Sequence, residues 1–267
     1  MNIEPYRVPP GGELDLREVS ARASEGMESG KVKDEFARLS TRLAELQELL
    51  FAWGERGLLV IFQAMDAGGK DSTIRRVFTS LDPAGLHVKS FKVPTPRERR
   101  HDFLWRIHAH VPPHGAIAVF NRSHYEDVVA VRVRQLAEPR VWRGRIDHIN
   151  AFERLLVDEG TVVLKFFLHI SKAYQKERLE RRLARPEKRW KFEPDDLADR
   201  ARWDDYLEAY SEAIRQSSTE TAPWYVVPAE DRPLRDLVVL QAVVERLEAL
   251  PMRYPAVTFD PSTIEIR

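Results

Sequence analysis

The stretch LLVIFQAMDAGGKDST, residues 58–73, constrains this chain more than any other. Five apolar residues, Leu58 to Phe62, run into a small-residue turn ending Gly68-Gly69-Lys70, and a helix-compatible segment follows. A short apolar run closed by glycines reads as a buried strand, and strand, turn and helix in that order give a loop whose backbone N–H groups can face phosphate oxygens. The helix N-terminus adds partial positive charge there and Lys70 adds a full one. The stretch calls for an α/β fold and points to phosphoryl chemistry.

Two positions depart from the pattern G-x-x-x-x-G-K-[ST]: Ala64 stands at the first Gly and Asp71 at the Mg²⁺-binding hydroxyl. On the motif alone, a glycine-rich turn with a solvated Lys70 is the plain alternative. Asp66 weighs against it, because a carboxylate beside a phosphate-binding lysine repels the phosphate unless a metal lies between them. Ala67, Gly68, Gly69, Lys70, Asp71 and Ser72 are therefore expected to cradle phosphate. Asp66, with Asp71 as a second candidate, is expected to be a metal ligand or catalytic carboxylate.

At 267 residues and 43% apolar content, the chain is long enough for one substantial α/β core, and one domain spanning 1–267 is expected. No run reaches transmembrane length, and the start MNIEPYRVPPGGELDL lacks the apolar centre of a secretory signal, so a cytoplasmic location is expected. The absence of cysteine excludes disulfides and thiolate metal sites. With 42 basic against 42 acidic residues, no global field favours nucleic acid or a membrane, and neither is expected as a partner. Charge is nevertheless unevenly placed: residues 176–191 hold eight Lys or Arg against three Glu, and residues 193–208 seven acidic against two basic. A basic block accompanying a phosphate loop suggests a polyanionic ligand, although a solvated helix laced with i,i+4 pairs would read the same way.

Residues 1–30 lack periodicity and read as a surface-wrapping arm. Phe36, Leu39, Leu43, Leu46 and Leu50 predict an amphipathic helix over about 32–51, and Ile146, Ile149, Phe152, Leu155 and Leu156 a second, closed by Gly160. Strands are expected at 58–63, 87–91, 116–120, 161–169 and 224–227. Ser171 is a candidate N-cap for the basic helix. Alternating strands and helices predict a parallel sheet of about five strands flanked by helices, with ligands at the carboxyl ends of the strands.

A second motif, AIAVFNRSHYEDVV, covers residues 116–129 and places Asn121 to Asp127 after a strand. Phosphate-loop proteins usually hold a metal-supporting Asp where Asn121 stands, so Asp127 or Asp66 must supply that carboxylate. Arg122 is the natural phosphate contact, since a guanidinium is always charged and can bind two oxygens. His124 reads as a hydrogen-bonded structural imidazole more readily than as a catalytic base. Lys92 closes the second strand and is placed to reach the same mouth. Phe103, Trp105 and Ile107 are expected in the core rather than as a base-stacking platform, and His101 and His108 do not share a helix face. Further on, Arg178, Arg182, Lys188 and Lys191, with a break at Pro186 and a helix carrying Leu207, Tyr210 and Ile214, predict a basic helical lid over about 172–215.

Together, QAMDAGGKDST, the strand ending FNRSHYEDV, and RRLARPEKRWKF with WDDY resemble the polyphosphate kinase 2 family, whose members move phosphoryl groups between inorganic polyphosphate and nucleotides using Mg²⁺. The resemblance covers nearly the whole chain. It implies a P-loop-kinase-like sheet with a helical lid, Mg²⁺ (or Mn²⁺ as a substitute) as cofactor, and a homo-oligomer, dimer or tetramer. It further implies Asp66, Lys70, Arg122 and Asp127 as catalytic residues, with Asp66 and Asp127 on the metal. Arg178, Arg182, Lys188 and Lys191 are implied on polyphosphate, where Lys92 is also expected from its place at the strand end, and Asn121, His124 and Glu126 on the nucleotide. The run Asn-Arg-Ser-His-Tyr-Glu-Asp is similar to the branch that accepts both AMP and ADP, whereas other branches tend to carry Asp-Arg-Ser-Trp-Tyr-Asn. Adenine nucleotides are the implied acceptors, with guanine nucleotides as an open alternative. An ATP-dependent nucleotide or small-molecule kinase, and a non-catalytic polyanion-binding module, are the competing readings.

Overall fold

The computed structural model describes residues 1–22 and 28–266. Along the chain run β1 (Arg7–Val8), α1 (Ser29–Trp53), β2 (Gly57–Gln63), α2 (Lys70–Val77), β3 (Leu86–Ser90), α3 (Trp105–His108), β4 (Ile117–Asn121) and α4 (Val129–Val133). Then follow α5 (Pro139–Asp158), β5 (Thr161–His169), α6 (Lys172–Ala184), α7 (Asp195–Ala201), α8 (Trp203–Ser217), β6 (Trp224–Pro228) and α9 (Arg232–Glu248). The strands form one sheet in the order β1-β6-β5-β2-β4-β3, parallel except for the β1–β6 pair.

β2 lies inside this sheet because its sequence leaves it no exposed face. Leu58, Val60 and Phe62 join one apolar cluster and Leu59 and Ile61 another, as successive strand residues point to opposite sides. Leu39, Leu43 and Leu50 of α1 and Leu237 and Leu240 of α9 belong to the first cluster, and Phe152 and Leu156 of α5 to the second. Each such side chain removed from water contributes about 1.5–3 kcal/mol. The expected helices and five expected strands are present to within a few residues, and Gly160, at φ 90°, follows the end of α5 as expected.

Three expectations are corrected. The N-terminal segment is not merely a surface arm: Arg7 and Val8 pair with Tyr225 and Trp224 as a sixth, antiparallel strand, and Ile3, Val8 and Leu16 are buried. The Ser211 hydroxyl accepts from Leu16 N–H at 2.9 Å, and Ser218 Oγ donates to Val8 O at 2.6 Å. A two-residue strand has no period to read, so only its partners define it. Residues 23–27 of the expected arm lie outside the described residues. Trp105, expected in the core, is 37% exposed and lies flat on His101, with ring centroids 4.1 Å apart. α3 is a single turn that sends Arg106 and Ile107 inward, so the face inferred from a longer helix does not exist. Finally, α8 belongs to the core and not to a lid. Trp203, Tyr206, Leu207, Tyr210 and Ile214 are all buried, which leaves residues 172–201, mostly exposed, as the basic segment. Among the described residues, no helix is long and apolar enough to cross a membrane.

Candidate active site

Sheet register builds the site. Phe62 pairs with Asn121 of β4 on one side and Phe166 of β5 on the other, so β2 and β4 end level, and Arg122 N–H donates to Phe62 O at 3.0 Å. From β2 the chain turns through Ala64 to Gly69 and enters α2 at Lys70. The turn is too tight for side chains at two positions. A Cβ on Gly68 would lie 2.6 Å from Ala64 Cβ and 2.8 Å from Met65 O; one on Gly69, at φ 102°, would lie 2.4 Å from Arg235 Nη1. Ala67 and Arg122 hold left-handed backbone, at φ 62° and 63°, without being glycine. Each costs on the order of 1–3 kcal/mol and persists because the surrounding sheet fixes it.

At the mouth, Arg122 Nη2 donates to Asp66 Oδ1 at 2.6 Å. Lys70 is only 8% exposed, and its Nζ donates to Ala64 O at 3.0 Å. Burial, assisted by the nearby Arg122 charge, lowers the Lys70 ammonium to about 8, against the pull of Asp66 and Glu126. Glu126 belongs to the same cluster. It is the largest influence raising Arg122, and its own carboxyl is raised by burial and by Asp66 while Arg122 and Lys70 oppose. With the Gln63 amide oriented to satisfy its neighbours, its nitrogen donates to Glu126 Oε1 at 2.9 Å and its oxygen accepts from Ser123 N and Oγ at 3.1 Å. Asn121 Nδ2 donates to Asp71 Oδ1 at 2.5 Å, joining the second motif to the start of α2.

The structure separates residues that the motifs had grouped. Asp127, expected on a metal with Asp66, is turned the other way: Arg106 stands 3.5 Å from Oδ2 and Arg145 3.8 Å from Oδ1, and Arg145 also donates to the Asp127 carbonyl. Residues 124–127 form a 3-10 turn, in which neighbours point about 120° apart, so Glu126 and Asp127 cannot share a direction. His124, implied on the nucleotide, is 0% exposed and meets Glu153 Oε1 at 3.2 Å. Glu153 also accepts from Tyr125 OH at 2.8 Å and Lys165 Nζ at 2.5 Å, so His124 belongs to a buried network that fixes the turn from behind. Ser72, expected on phosphate, has its hydroxyl proton used within the loop, where Oγ donates to Gly69 O at 2.7 Å. Lys92 is exposed two residues beyond β3, and its carbonyl accepts from Arg106.

On α6, Ser171 caps as expected, accepting from Tyr174 N at 3.1 Å. Arg178 Nη1 donates to Tyr174 OH at 3.5 Å, while its buried Nε has no partner among the described residues. Burial lowers the Arg178 guanidinium, and neighbouring Arg232 and Arg182 add to the effect. Arg182 pairs with Asp196 at 3.7 Å, Lys191 with Asp71 at 3.8 Å, and Lys188 is exposed. Burial, then repulsion from Asp66, raises Asp196 to about 6. Asp196, Arg232 and Arg235 escaped the sequence reading. All three sit in charged stretches that carry no motif.

A parallel sheet whose inner strand ends in a strained anion-binding turn, with a buried lysine and a guanidinium–carboxylate pair at its mouth, defines a phosphate-loop phosphotransferase. This chain belongs to the polyphosphate kinase 2 family, whose model matches residues 26–254. It is 52% identical over 255 residues to the AMP/ADP-polyphosphate phosphotransferase of Meiothermus ruber, covering 95% of this chain and 96% of that protein. It is 42% identical to the ADP-polyphosphate phosphotransferase of Rhodopseudomonas palustris, covering 95% and 92%. The crystal structure of polyphosphate kinase 2 from Arthrobacter aurescens TC1 superposes with a TM-score of 0.92 at 42% identity, over 97% of this chain and 93% of that one.

Proposed function

We propose that this protein transfers phosphoryl groups between inorganic polyphosphate and adenine nucleotides, converting AMP to ADP and ADP to ATP, in both directions. The observation that carries the reading is the cluster of Asp66, Lys70, Arg122 and Glu126 at the ends of β2 and β4, facing a basic segment longer than one nucleotide requires. A terminal phosphate oxygen of the acceptor attacks the end phosphorus of the donor. One P–O bond forms as the bridging P–O bond breaks, and the donor shortens by one unit.

Such a transfer needs alignment and charge neutralisation rather than a side-chain nucleophile. Lys70 and the N–H groups at the start of α2 hold the transferred group. Arg122 exchanges its Asp66 contact for a phosphate oxygen. Arg178, Arg182, Lys188 and Lys191 gather the donor, and the unpartnered Nε of Arg178 beside Arg232 and Arg182 is the feature an anion would relieve.

Among the described residues, no three His, Cys, Asp or Glu side chains converge as a metal cage. Mg²⁺ does not require one, since it is held by one or two carboxylates together with substrate phosphates. Asp66 and Glu126 fit that description: they are hard oxygen donors close enough to interact, and burial first, then the Asp66 charge, raises Glu126. When bound, Mg²⁺ neutralises charge between the two phosphate chains.

The test is a time course from pure AMP with long-chain polyphosphate and Mg²⁺, in preparations free of adenylate kinase. ADP should rise and then fall as ATP appears. Consumption of ADP without any phosphorylation of AMP would restrict the acceptor to diphosphates. No change in either nucleotide, with turnover when ATP is offered to another acceptor, would favour an ATP-dependent kinase.

A further inference from the structure

Arg235 lies near the start of α9, between Leu234 and Asp236, and it is only 1% exposed. Its Nε and Nη2 both donate to Asp236 Oδ1, at 2.8 and 2.7 Å. Nη2 also reaches Ser72 Oγ at 3.4 Å, and Nη1 lies where a Cβ on Gly69 would come within 2.4 Å of it. Ser72 Oγ in turn donates to Gly69 O, which also accepts the backbone N–H groups of Ser72 and Thr73, each at 3.0 Å. A continuous chain of contacts thus runs from Asp236 through Arg235 and Ser72 to the carbonyl on which the first turn of α2 closes.

Holding a guanidinium here is costly. Burying a charge carries a desolvation penalty of several kcal/mol, and an apolar residue of similar volume often fills such a site at equal or greater stability. Packing therefore does not account for an arginine at this point. Geometry at the loop does. The first turn of α2 closes on the Gly69 carbonyl through the Ser72 and Thr73 N–H groups, and Ser72 Oγ is a third donor to it whose direction a side chain on the core side can hold. Arg235 does so with a planar fork that a lysine cannot reproduce.

We propose that Arg235 is a positioning residue for phosphoryl transfer, acting through Ser72 and Gly69 to hold the phosphate loop in its anion-binding curvature. It touches no substrate. The inference rests on the transfer activity proposed above.

The test uses the full chain carrying Arg235→Met, Arg235→Lys, Ser72→Ala and the double variant Arg235→Met/Ser72→Ala, assayed with polyphosphate, AMP and Mg²⁺ and followed by thermal melts. A small displacement of a reacting group costs up to about a hundredfold. Arg235→Met should lower kcat by about tenfold or more while it melts as a folded protein and keeps the wild-type KM for AMP. Arg235→Lys should recover only part of that loss. The double variant should be no slower than Arg235→Met alone, because both substitutions break one chain of contacts. Wild-type kcat in Arg235→Met, or losses that multiply in the double variant, would overturn the proposal. Should Arg235→Met fail to fold, Arg235→Lys decides: reduced kcat at an unchanged melting temperature supports the role, and wild-type kcat overturns it. A silent wild-type enzyme would instead refute the proposed activity.

Discussion

The phosphate loop and the basic segment 172–201 both direct positive charge at the mouth, yet they are built in opposite ways. The loop hangs from fully buried strands, keeps Lys70 nearly out of water, and stores backbone strain at Ala67 and Arg122. The segment consists of two helices and a 3-10 turn, and its pairs, Arg182–Asp196 and Lys191–Asp71, are 3.7 and 3.8 Å apart. Charge in a dry, rigid setting acts strongly and on one point, whereas exposed charge acts weakly, over distance, and is screened by salt. The difference assigns alignment of the reacting phosphate to the loop and capture of a long polyanion to the segment.

The sharpest way to break this contrast is at the loop. Lys70→Ala and Asp66→Asn should each reduce turnover a hundredfold or more, about 3 kcal/mol of transition-state stabilisation, while melting like the wild type. Near-normal turnover in either would end the loop's role. In the segment, Arg178→Ala, Arg182→Ala or Lys188→Ala should raise KM for polyphosphate by roughly three- to tenfold and flatten its salt dependence. KM for AMP should stay unchanged, and an equal rise for both substrates would dissolve the division of labour.

The pH response separates the two regions more finely. Lys70 binds phosphate only as the ammonium, and burial brings that group down to about 8 from its usual 10.5. Above pH 8 the empty site has lost the proton that donor binding needs, so affinity for tripolyphosphate should fall from there upward. Calorimetry in buffers of different ionisation enthalpy should register proton uptake between pH 8 and 10.5. The same depressed value makes the folded state bind fewer protons than the unfolded chain, so stability gains from this group as pH rises through that window. Constant affinity up to pH 10 would mean Lys70 is not the anion's partner. The smallest effect concerns strain: Ala67→Gly should relieve the left-handed φ of 62° and change stability by no more than about 1 kcal/mol, because freeing the unfolded chain offsets the gain. A loss of several kcal/mol, read by denaturant unfolding, would show that the Ala67 methyl is itself a core contact.

Much of this was legible in the chain. The run Leu58–Phe62 fixes a buried strand because five apolar residues in a row cannot face water, and Ser171 fixes a helix start because its hydroxyl can accept from the N–H three residues on. The amphipathic pattern of α1 marked its buried face, with Leu39, Leu43, Leu46 and Leu50 all inside and Phe36 half-buried against the core. Such features depend on neighbours within a turn or two of chain, which a sequence displays directly.

Which member of each motif faces the mouth depends on long-range packing. Glu126 and Asp127 are adjacent acids, indistinguishable in composition. Asp127 is held by Arg106 and Arg145 from α3 and α5, while Glu126 turns to Gln63 at the end of β2. His124 was withdrawn into the core by Glu153, and α8 was taken from the expected lid by the aromatic surface it shares with the core. Arg235 reaches Ser72 across 163 positions of sequence. The phosphate loop, the alternating strands and helices and the basic segment are readable from the chain alone, since periodicity, glycine placement and local charge are short-range properties. The facing of each charged side chain was settled by partners brought in from distant elements, because a carboxylate or guanidinium turns toward the opposite charge that the fold sets beside it.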